Sequence, residues 1–362
     1  LIYGISGREE ENLKGNILRR FLILFMAVLL LGGINSASLA GDIDSGMQEC
    51  LINAMQKADD ASTIGALKAA CKAELAESET AAEQETSLAE VEETALEKRI
   101  EDEGSATRNL WTITPHRPNY ILLGNYNFSS MNEKPWEDYT GEDVDLNETE
   151  VKFQISFKFM LWENLFKKRT NGDLFFAYTQ LAMWQLYNKD ISSPFRDTNY
   201  EPEFFLSFDN DWKIFGFTNR INAFGFAHQS NGRSGPVSRS WNRVYASFIF
   251  EKGNFASGLK VWYRLPEDEE DDNNPDIEDY LGNFELRAAY KWDRNTFGIM
   301  WRNNLDFDEN RGAVQLDWSF PLPGTDRIKG YVQYFNGYGQ CLIDYNASAS
   351  TLGAGLLLTD WL

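Results

Sequence analysis

The sequence predicts an all-β chain, a 12-stranded antiparallel transmembrane β-barrel, and three observations carry that expectation. From Asn109 onward the side-chain pattern has a period of two, not 3.6. Twelve such segments follow one another, joined by links that mostly alternate between tight and long, the habit of barrels with short turns at one rim and loops at the other. Aromatic residues make up 14% of the chain, in keeping with the girdles a barrel carries where it meets the membrane interfaces.

The elements in order begin with an export signal. Lys14, Arg19 and Arg20 form a basic region, Phe21 to Gly33 is apolar, and Ser38-Leu39-Ala40 offers small residues for cleavage. Thirteen apolar residues fall short of the roughly 20 that a helix needs to cross a bilayer, so residues 1–40 read as a signal peptide and not as an anchor. Residues 41–108 read as an acidic extension, helical or disordered and periplasmic. They hold 17 acidic and 6 basic residues and no Trp, Tyr or Phe. Met47–Ile52 and Leu67–Cys71 suggest two short helices with Asp59–Thr63 as turn and cap. Export places Cys50 and Cys71 in an oxidising compartment, where a disulfide between them is expected and Cys341 is left as a free thiol. Half of the formal charge of −21 resides in this extension, and such a chain has no bulk field for nucleic acid.

Residues 109–362 are the expected barrel domain. Val151–Phe159 alternates apolar and polar side chains without a fault, as do Phe284–Ala288 and Val314–Phe320. The strands are placed near 119–127, 150–162, 173–187, 200–210, 212–231 and 238–252, then 255–265, 280–293, 295–305, 311–322, 327–339 and 349–362. A soluble sandwich also alternates, but it rarely needs twelve such segments. With an even count and both ends in the periplasm, odd-numbered strands run outward, so the fifth ends at the cell-surface side.

His228-Gln229-Ser230-Asn231-Gly232-Arg233-Ser234 lies at that outer end, and the sixth strand opens with Ser238-Arg239-Ser240-Trp241-Asn242-Arg243. The chain has two histidines, and His116 has no nucleophile beside it. In a strand, residues i and i+2 share a face. His228 and Ser230 therefore project with Phe224 and Phe226, while Ala223, Gly225, Ala227 and Gln229 face the interior. Asn242 shares the apolar face of its own strand with Val244, Ala246 and Phe248. A hydroxyl, an imidazole and an amide on a lipid-facing surface cost free energy unless they pair with one another, and that pairing is the geometry of a Ser-His-Asn triad. A polar cluster at headgroup level explains the same residues about equally well on pattern alone.

Tyr178-Thr179-Gln180, the run from Ser192 to Pro202, and His228 through Tyr245 carry a resemblance to the outer membrane phospholipase A family. It is strongest over residues 173–250 and extends more weakly over 110–362. The resemblance implies a 12-stranded barrel in the outer membrane of a Gram-negative cell, with periplasmic termini. It also implies calcium-dependent hydrolysis of phospholipid acyl esters (phospholipase A1/A2 and lysophospholipase activity), with a homodimer as the active form. In its terms Ser230 is the nucleophile, His228 its base and Asn242 the residue that fixes the imidazole, with Gln180 holding Asn242 and the Gly232 N–H donating to the oxyanion. Calcium is bound by the Arg233 carbonyl, the Ser238 hydroxyl and the carbonyl of Ser192 of the partner subunit. Gly235 stands where the family carries Asp. The alternative is a non-enzymatic outer-membrane porin or structural barrel; a barrel protease would want paired acidic residues flanking His228, which the local sequence lacks. The acidic run Glu267–Asp279 reads as a solvated loop.

Overall fold

The structure, a computed structural model, describes residues 94–107, 109, 112–166 and 172–362, together with Cys71. Within the compact unit spanning residues 93–362, twelve strands form a closed ring. They are β1 (Asn119–Asn127), β2 (Thr149–Trp162), β3 (Asp173–Trp184), β4 (Phe195–Asp209), β5 (Phe217–Ser230), β6 (Ser240–Lys252), β7 (Phe255–Arg264), β8 (Phe284–Trp292), β9 (Asn295–Asn303), β10 (Gly312–Leu322), β11 (Thr325–Tyr338) and β12 (Ser348–Thr359). Each pairs antiparallel with its sequence neighbour, and β12 returns to β1 with Leu352 opposite Tyr126. Closure satisfies the backbone of every barrel strand and leaves no exposed edge.

The alternating pattern sorts the side chains as expected. Phe204, Phe226, Val244, Ile299, Leu316, Trp318 and Leu352 stay exposed on the outer face, an apolar belt suited to lipid. The interior holds small residues such as Ala177 and Ala227 and a charge network. Arg117 grips Glu201 through two bonds of 2.9 and 3.0 Å and reaches Glu203 at 2.6 Å. Lys260 meets Glu203 at 3.0 Å and Arg243 meets Glu201 at 2.8 Å. His116 belongs to this interior, stacked on Phe205 and hydrogen-bonded to Glu203.

All twelve expected strands form, and three of them start four or five residues away from where they were expected. β4 starts at Phe195, five residues earlier than expected, because Arg196 and Asp197 point inward and are held there. Arg196 binds Glu150 at 2.9 and 2.8 Å and also Asp344, and Asp197 accepts from the Ile343 backbone N–H. Ahead of β5, Lys213–Ile214 pairs with Phe217–Thr218 as a small hairpin of its own. Its turn residues Phe215 (φ +50°) and Gly216 (φ +79°) are both left-handed, the tight-turn geometry that matches strand twist. The eighth segment is preceded by a one-turn helix, α3 (Ile277–Leu281), not by strand.

Loops close the long-loop end. Ile277, Leu281, Leu342 and Tyr345 pack with the interior Trp241 and Trp262. Val237, from the 3₁₀ turn Gly235–Val237, packs with Met183, Cys341 and Ile343, and Trp136 of α2 (Lys134–Thr140) lies against that cluster. Burial pushes the Cys341 thiol well up.

At the short-turn end, α1 (Ala95–Thr107) is anchored on barrel residues. It opens with a capping box: the Glu97 N–H donates to Thr94 Oγ1 at 3.1 Å, and the Thr94 N–H donates to the Glu97 carboxylate at 3.0 Å. Glu97 pairs with Arg220, Arg99 donates to the Asp360 carbonyl, and Lys158 binds Glu103 at 2.8 Å. Among the described residues no helix is long and apolar enough to cross a membrane. Cys71 is buried and disulfide-bonded, and Cys341 is free. Residues 1–40, Cys50 and the remainder of the two short N-terminal helices lie outside the described residues.

Candidate active site

The pairing of β5 with β6 builds the site. Its register sets His228 directly opposite Asn242 and Ser230 opposite Ser240, all on the outward face. His228 Nδ1 and Asn242 Oδ1 are 2.9 Å apart. An amide oxygen can only accept, so this contact assigns the proton to Nδ1 and leaves Nε2 as the free base. Ser230 sits half-buried two residues along the strand, with Tyr200 of β4 opposite it on its other side. Among the described residues no hydrogen bond joins Ser230 Oγ to the ring; such contacts commonly tighten only when substrate is bound.

The inner face of the same strands makes the platform rigid. Gln229 Oε1 accepts from Trp241 Nε1 at 2.8 Å and from Arg243 at 3.2 Å. A Cβ at Gly225 would lie 2.7 Å from the Phe204 carbonyl oxygen and from the Tyr245 ring, so β4, β5 and β6 close up only around a glycine there.

The β5–β6 loop is organised by Asn231, which is buried. Its Oδ1 accepts from the backbone N–H groups of Arg239 at 3.0 Å and Arg233 at 3.3 Å, and its Nδ2 donates to the Val237 carbonyl at 2.8 Å. Between these pins Gly232 takes φ +64°, and a Cβ there would meet the Tyr200 ring at 3.0 Å. The Arg233 side chain donates to the Phe195 carbonyl at 2.8 Å and lies over the Trp136 ring at 4.4 Å. Ser238 leaves the 3₁₀ turn with its N–H on the Gly235 carbonyl at 3.0 Å. Ser192 is exposed in the β3–β4 loop, with φ +65° and its N–H on the Lys189 carbonyl at 3.2 Å.

The structure thus brings together His228, Ser230, Asn242, Gly232, Arg233 and Ser238 on adjoining strands and their loop. It does not bring Gln180 to Asn242. Gln180 is on β3, three inter-strand steps from β6, or about 14 Å along the sheet, and its Oε1 accepts from Tyr178 at 3.3 Å. The Asn242 amide donates instead to Glu267 Oε1 at 3.0 Å. Glu267 and Asn231 are the two site residues the sequence reading passed over. The register sets Arg264 opposite Arg243 and so brings Leu265 beside Asn242, with Glu267 two residues further on; the sequence alone carries no signal for that contact. The acidic run is also less solvated than expected, since Asp272 binds Arg264 at 2.6 Å and Asp276 accepts from Tyr345. Among the described residues there is no cluster of three or more His, Cys, Asp or Glu able to hold a metal. A cation at the β5–β6 loop would be held by carbonyl and hydroxyl oxygens.

A closed 12-stranded barrel with an imidazole–amide pair on its outer wall, and a serine on the same face two residues away, defines a class: outer-membrane β-barrels with a polar cluster facing lipid. The family model described as phospholipase A1 matches residues 96–358. The chain is 37% identical over 253 residues to phospholipase A1 of Proteus vulgaris, which covers 70% of this chain and 83% of that protein. Solved outer membrane phospholipase A from Escherichia coli matches at 36% identity with a TM-score of 0.64, over 70% of this chain and all of that one. The Salmonella typhi enzyme, solved as a dimer with bound calcium, matches at 36% identity and TM-score 0.64, over 70% of this chain and 94% of that one. The chain belongs to the phospholipase A1 family and is an outer-membrane β-barrel of the Gram-negative kind.

Proposed function

We propose that this chain hydrolyses the acyl esters of outer-membrane phospholipids with Ser230 as nucleophile, His228 as base and Asn242 as its orienting partner, in a calcium-dependent homodimer. The observation that carries the reading is the 2.9 Å contact between His228 Nδ1 and Asn242 Oδ1 on the lipid-facing wall, two residues from a serine on the same face. Family membership supports the reaction class, and the calcium-bound dimer of the Salmonella typhi enzyme supports the cofactor and the assembly. The porin alternative loses ground to the side chains that fill the barrel interior and the loops that pack across its long-loop end.

In the proposed chemistry, Nε2 of His228 takes the Ser230 hydroxyl proton as Oγ attacks the ester carbonyl, then returns it to the departing lipid alkoxide. Water repeats the sequence on the acyl-serine. Asn242 keeps the imidazole in the tautomer this requires. The left-handed turn at Gly232 lets its backbone N–H approach the developing oxyanion without a Cβ in the way. The donor set fits a hard divalent cation, which prefers oxygen ligands. The Arg233 carbonyl, the Ser238 hydroxyl and the carbonyl of Ser192 of the partner subunit would hold calcium, which when bound supplies positive charge beside the carbonyl. Residues 1–40 would be the export signal and the acidic extension a periplasmic appendage to the barrel. The test is phospholipid hydrolysis by detergent-folded protein with calcium and with chelator, for the parent and for Ser230→Ala. The variant should migrate as a folded, heat-modifiable barrel and lose more than about 10³-fold in turnover; retention of a tenth of parental turnover would remove Ser230 from the role.

A further inference from the structure

An asparagine is an uncertain partner for a catalytic histidine. Its two ends have nearly the same shape, and only one orientation offers an acceptor to Nδ1. It also brings no charge, whereas an aspartate in that place stabilises the imidazolium that forms during reaction. In this chain the amide nitrogen of Asn242 donates to Glu267 Oε1 at 3.0 Å. An ionised carboxylate can only accept, so Glu267 can engage only the NH2 end. That contact turns Oδ1 toward His228.

Glu267 owes its place to more than a chance swing of an acidic loop. The Leu265 N–H donates to the backbone carbonyl of Asn242 itself at 2.8 Å, and Pro266 restricts the conformation of the link to Glu267. Arg264, just before, is tied to Asp272 at 2.6 Å and to the Pro275 carbonyl at 3.1 Å. Further along, the fully buried Asn274 accepts from the Ser240 N–H at 3.0 Å. The β7–β8 loop is therefore stitched to β6 at Asn242 and at Ser240, through Leu265 and Asn274, and Glu267 lies between these two stitches in the chain.

We propose that Glu267 is a positioning residue of the catalytic centre. It locks the Asn242 amide in the orientation His228 needs and, by polarising that amide, delivers to the imidazole part of the negative charge an asparagine lacks. The proposal rests on the triad reading above. Its consequence is a relay from carboxylate to amide to imidazole to hydroxyl, in which the charge sits one residue further from the ring than in a Ser-His-Asp centre.

Steady-state kinetics on the detergent-folded, calcium-loaded protein test it, with heat-modifiable mobility as the fold control. Glu267→Ala should lower kcat about 10- to 100-fold with KM near the parental value, and Glu267→Gln, which keeps an acceptor but not the charge, should fall between. In an Asn242→Ala background the Glu267→Ala penalty should shrink to less than about twofold, because Glu267 acts only through that amide. Asn242→Asp alone should be poorly active, since it sets two carboxylates face to face, and Glu267→Gln should rescue it at least tenfold by giving the aspartate a donor. A Glu267→Ala turnover within twofold of parent overturns the proposal. So does a penalty of equal size with and without Asn242, or a failure of Glu267→Gln to rescue Asn242→Asp. Should Ser230→Ala stay active, the triad reading itself falls, an outcome separate from all of these.

Discussion

Replacing Asn231 by Ala tests how the loop proposed to carry the oxyanion and cation groups is held. The side chain makes three hydrogen bonds, to the N–H groups of Arg233 and Arg239 and to the Val237 carbonyl, at 3.3, 3.0 and 2.8 Å, and is buried. Each neutral hydrogen bond is worth about 0.5–1.5 kcal/mol net, and the backbone groups left behind lie in a partly buried turn. The long Arg233–Asn231 contact belongs at the low end of that range. The sum is about 2–4 kcal/mol, drawn from the local order of residues 231–239 and not from the twelve-strand ring, whose ladder hydrogen bonds are untouched. If the ordered loop is favoured in the parent by only about 0.5–1 kcal/mol, the larger loss just summed reverses the balance and the active conformation falls to a minor population. Turnover should then drop about 10- to 100-fold. The half-saturating calcium concentration should rise as well, because the Arg233 carbonyl and Ser238 lie on the same loop. Detergent-micelle assays of phospholipid hydrolysis over a calcium titration, with heat-modifiable mobility as the fold control, give both numbers. Turnover within twofold of parent with an unchanged calcium midpoint would refute the claim that Asn231 organises the site.

Three further outcomes follow from the same reasoning. On the proposed reading, in which the partner subunit completes the cation's ligands, hydrolysis per molecule should rise with protein concentration at fixed calcium and vanish in chelator; a concentration-independent rate would refute that. Ser238→Ala should raise the calcium requirement while leaving the barrel's thermal mobility shift in place, and an unchanged requirement would exclude its hydroxyl as a ligand. Finally, α1 should loosen in acid. Burial opposes ionisation of Glu103, but Lys158 and Arg99 beside it outweigh that and hold its carboxyl below the usual value. A depressed carboxylate contributes stability that is present above its unfolded pKa, about 4.5, and is lost as pH falls through the lower folded value. Hydrogen-exchange protection of Ala95–Thr107 should therefore fade at acid pH before that of the strands, and equal fading would count against the anchoring role of the ion pairs.

The fold was legible because a membrane barrel writes a two-residue period into every strand, and the faces it assigned to residues 223–230 and 242–250 are those observed. The pairing of His228 with Asn242 was legible as a shared face but not as a contact. Face is a property of one strand, whereas contact depends on the register between two. Gln180 failed for the same reason: it lies on a plausible face at the right height, but three strands away. Glu267 was hidden by its surroundings, since composition marks the run from Glu267 to Asp279 as solvated loop and gives no hint which carboxylate folds back on β6. The start of β4 was missed because Arg196 and Asp197 look like loop residues until Glu150, Asp344 and the Ile343 N–H supply their partners. The capping box at Thr94-Ala95-Leu96-Glu97 was readable from its spacing alone and would have set the start of α1.

The placement of the His228, Ser230 and Asn242 cluster on the outer wall has a physical rationale in how the interior is used. Burying a charge unpaired is costly, and removing one member of a buried pair costs about 3–5 kcal/mol. The interior carboxylates Glu201 and Glu203 are each met by two cations, and Glu150 is gripped by both ends of the Arg196 guanidinium. These paired carboxylates give the β4–β6 wall a rigid back. Three polar side chains can then stand on its lipid face without sinking inward to find partners there. They must instead find partners along the wall, and the only groups on hand are those the neighbouring strands and loops bring into register. His228 finds Asn242 across the β5–β6 pair, and Asn242 finds Glu267 on the loop after β7. The interior network and the external relay are in this sense one design: the first fixes the positions that let the second be satisfied at a surface where the adjoining solvent is lipid.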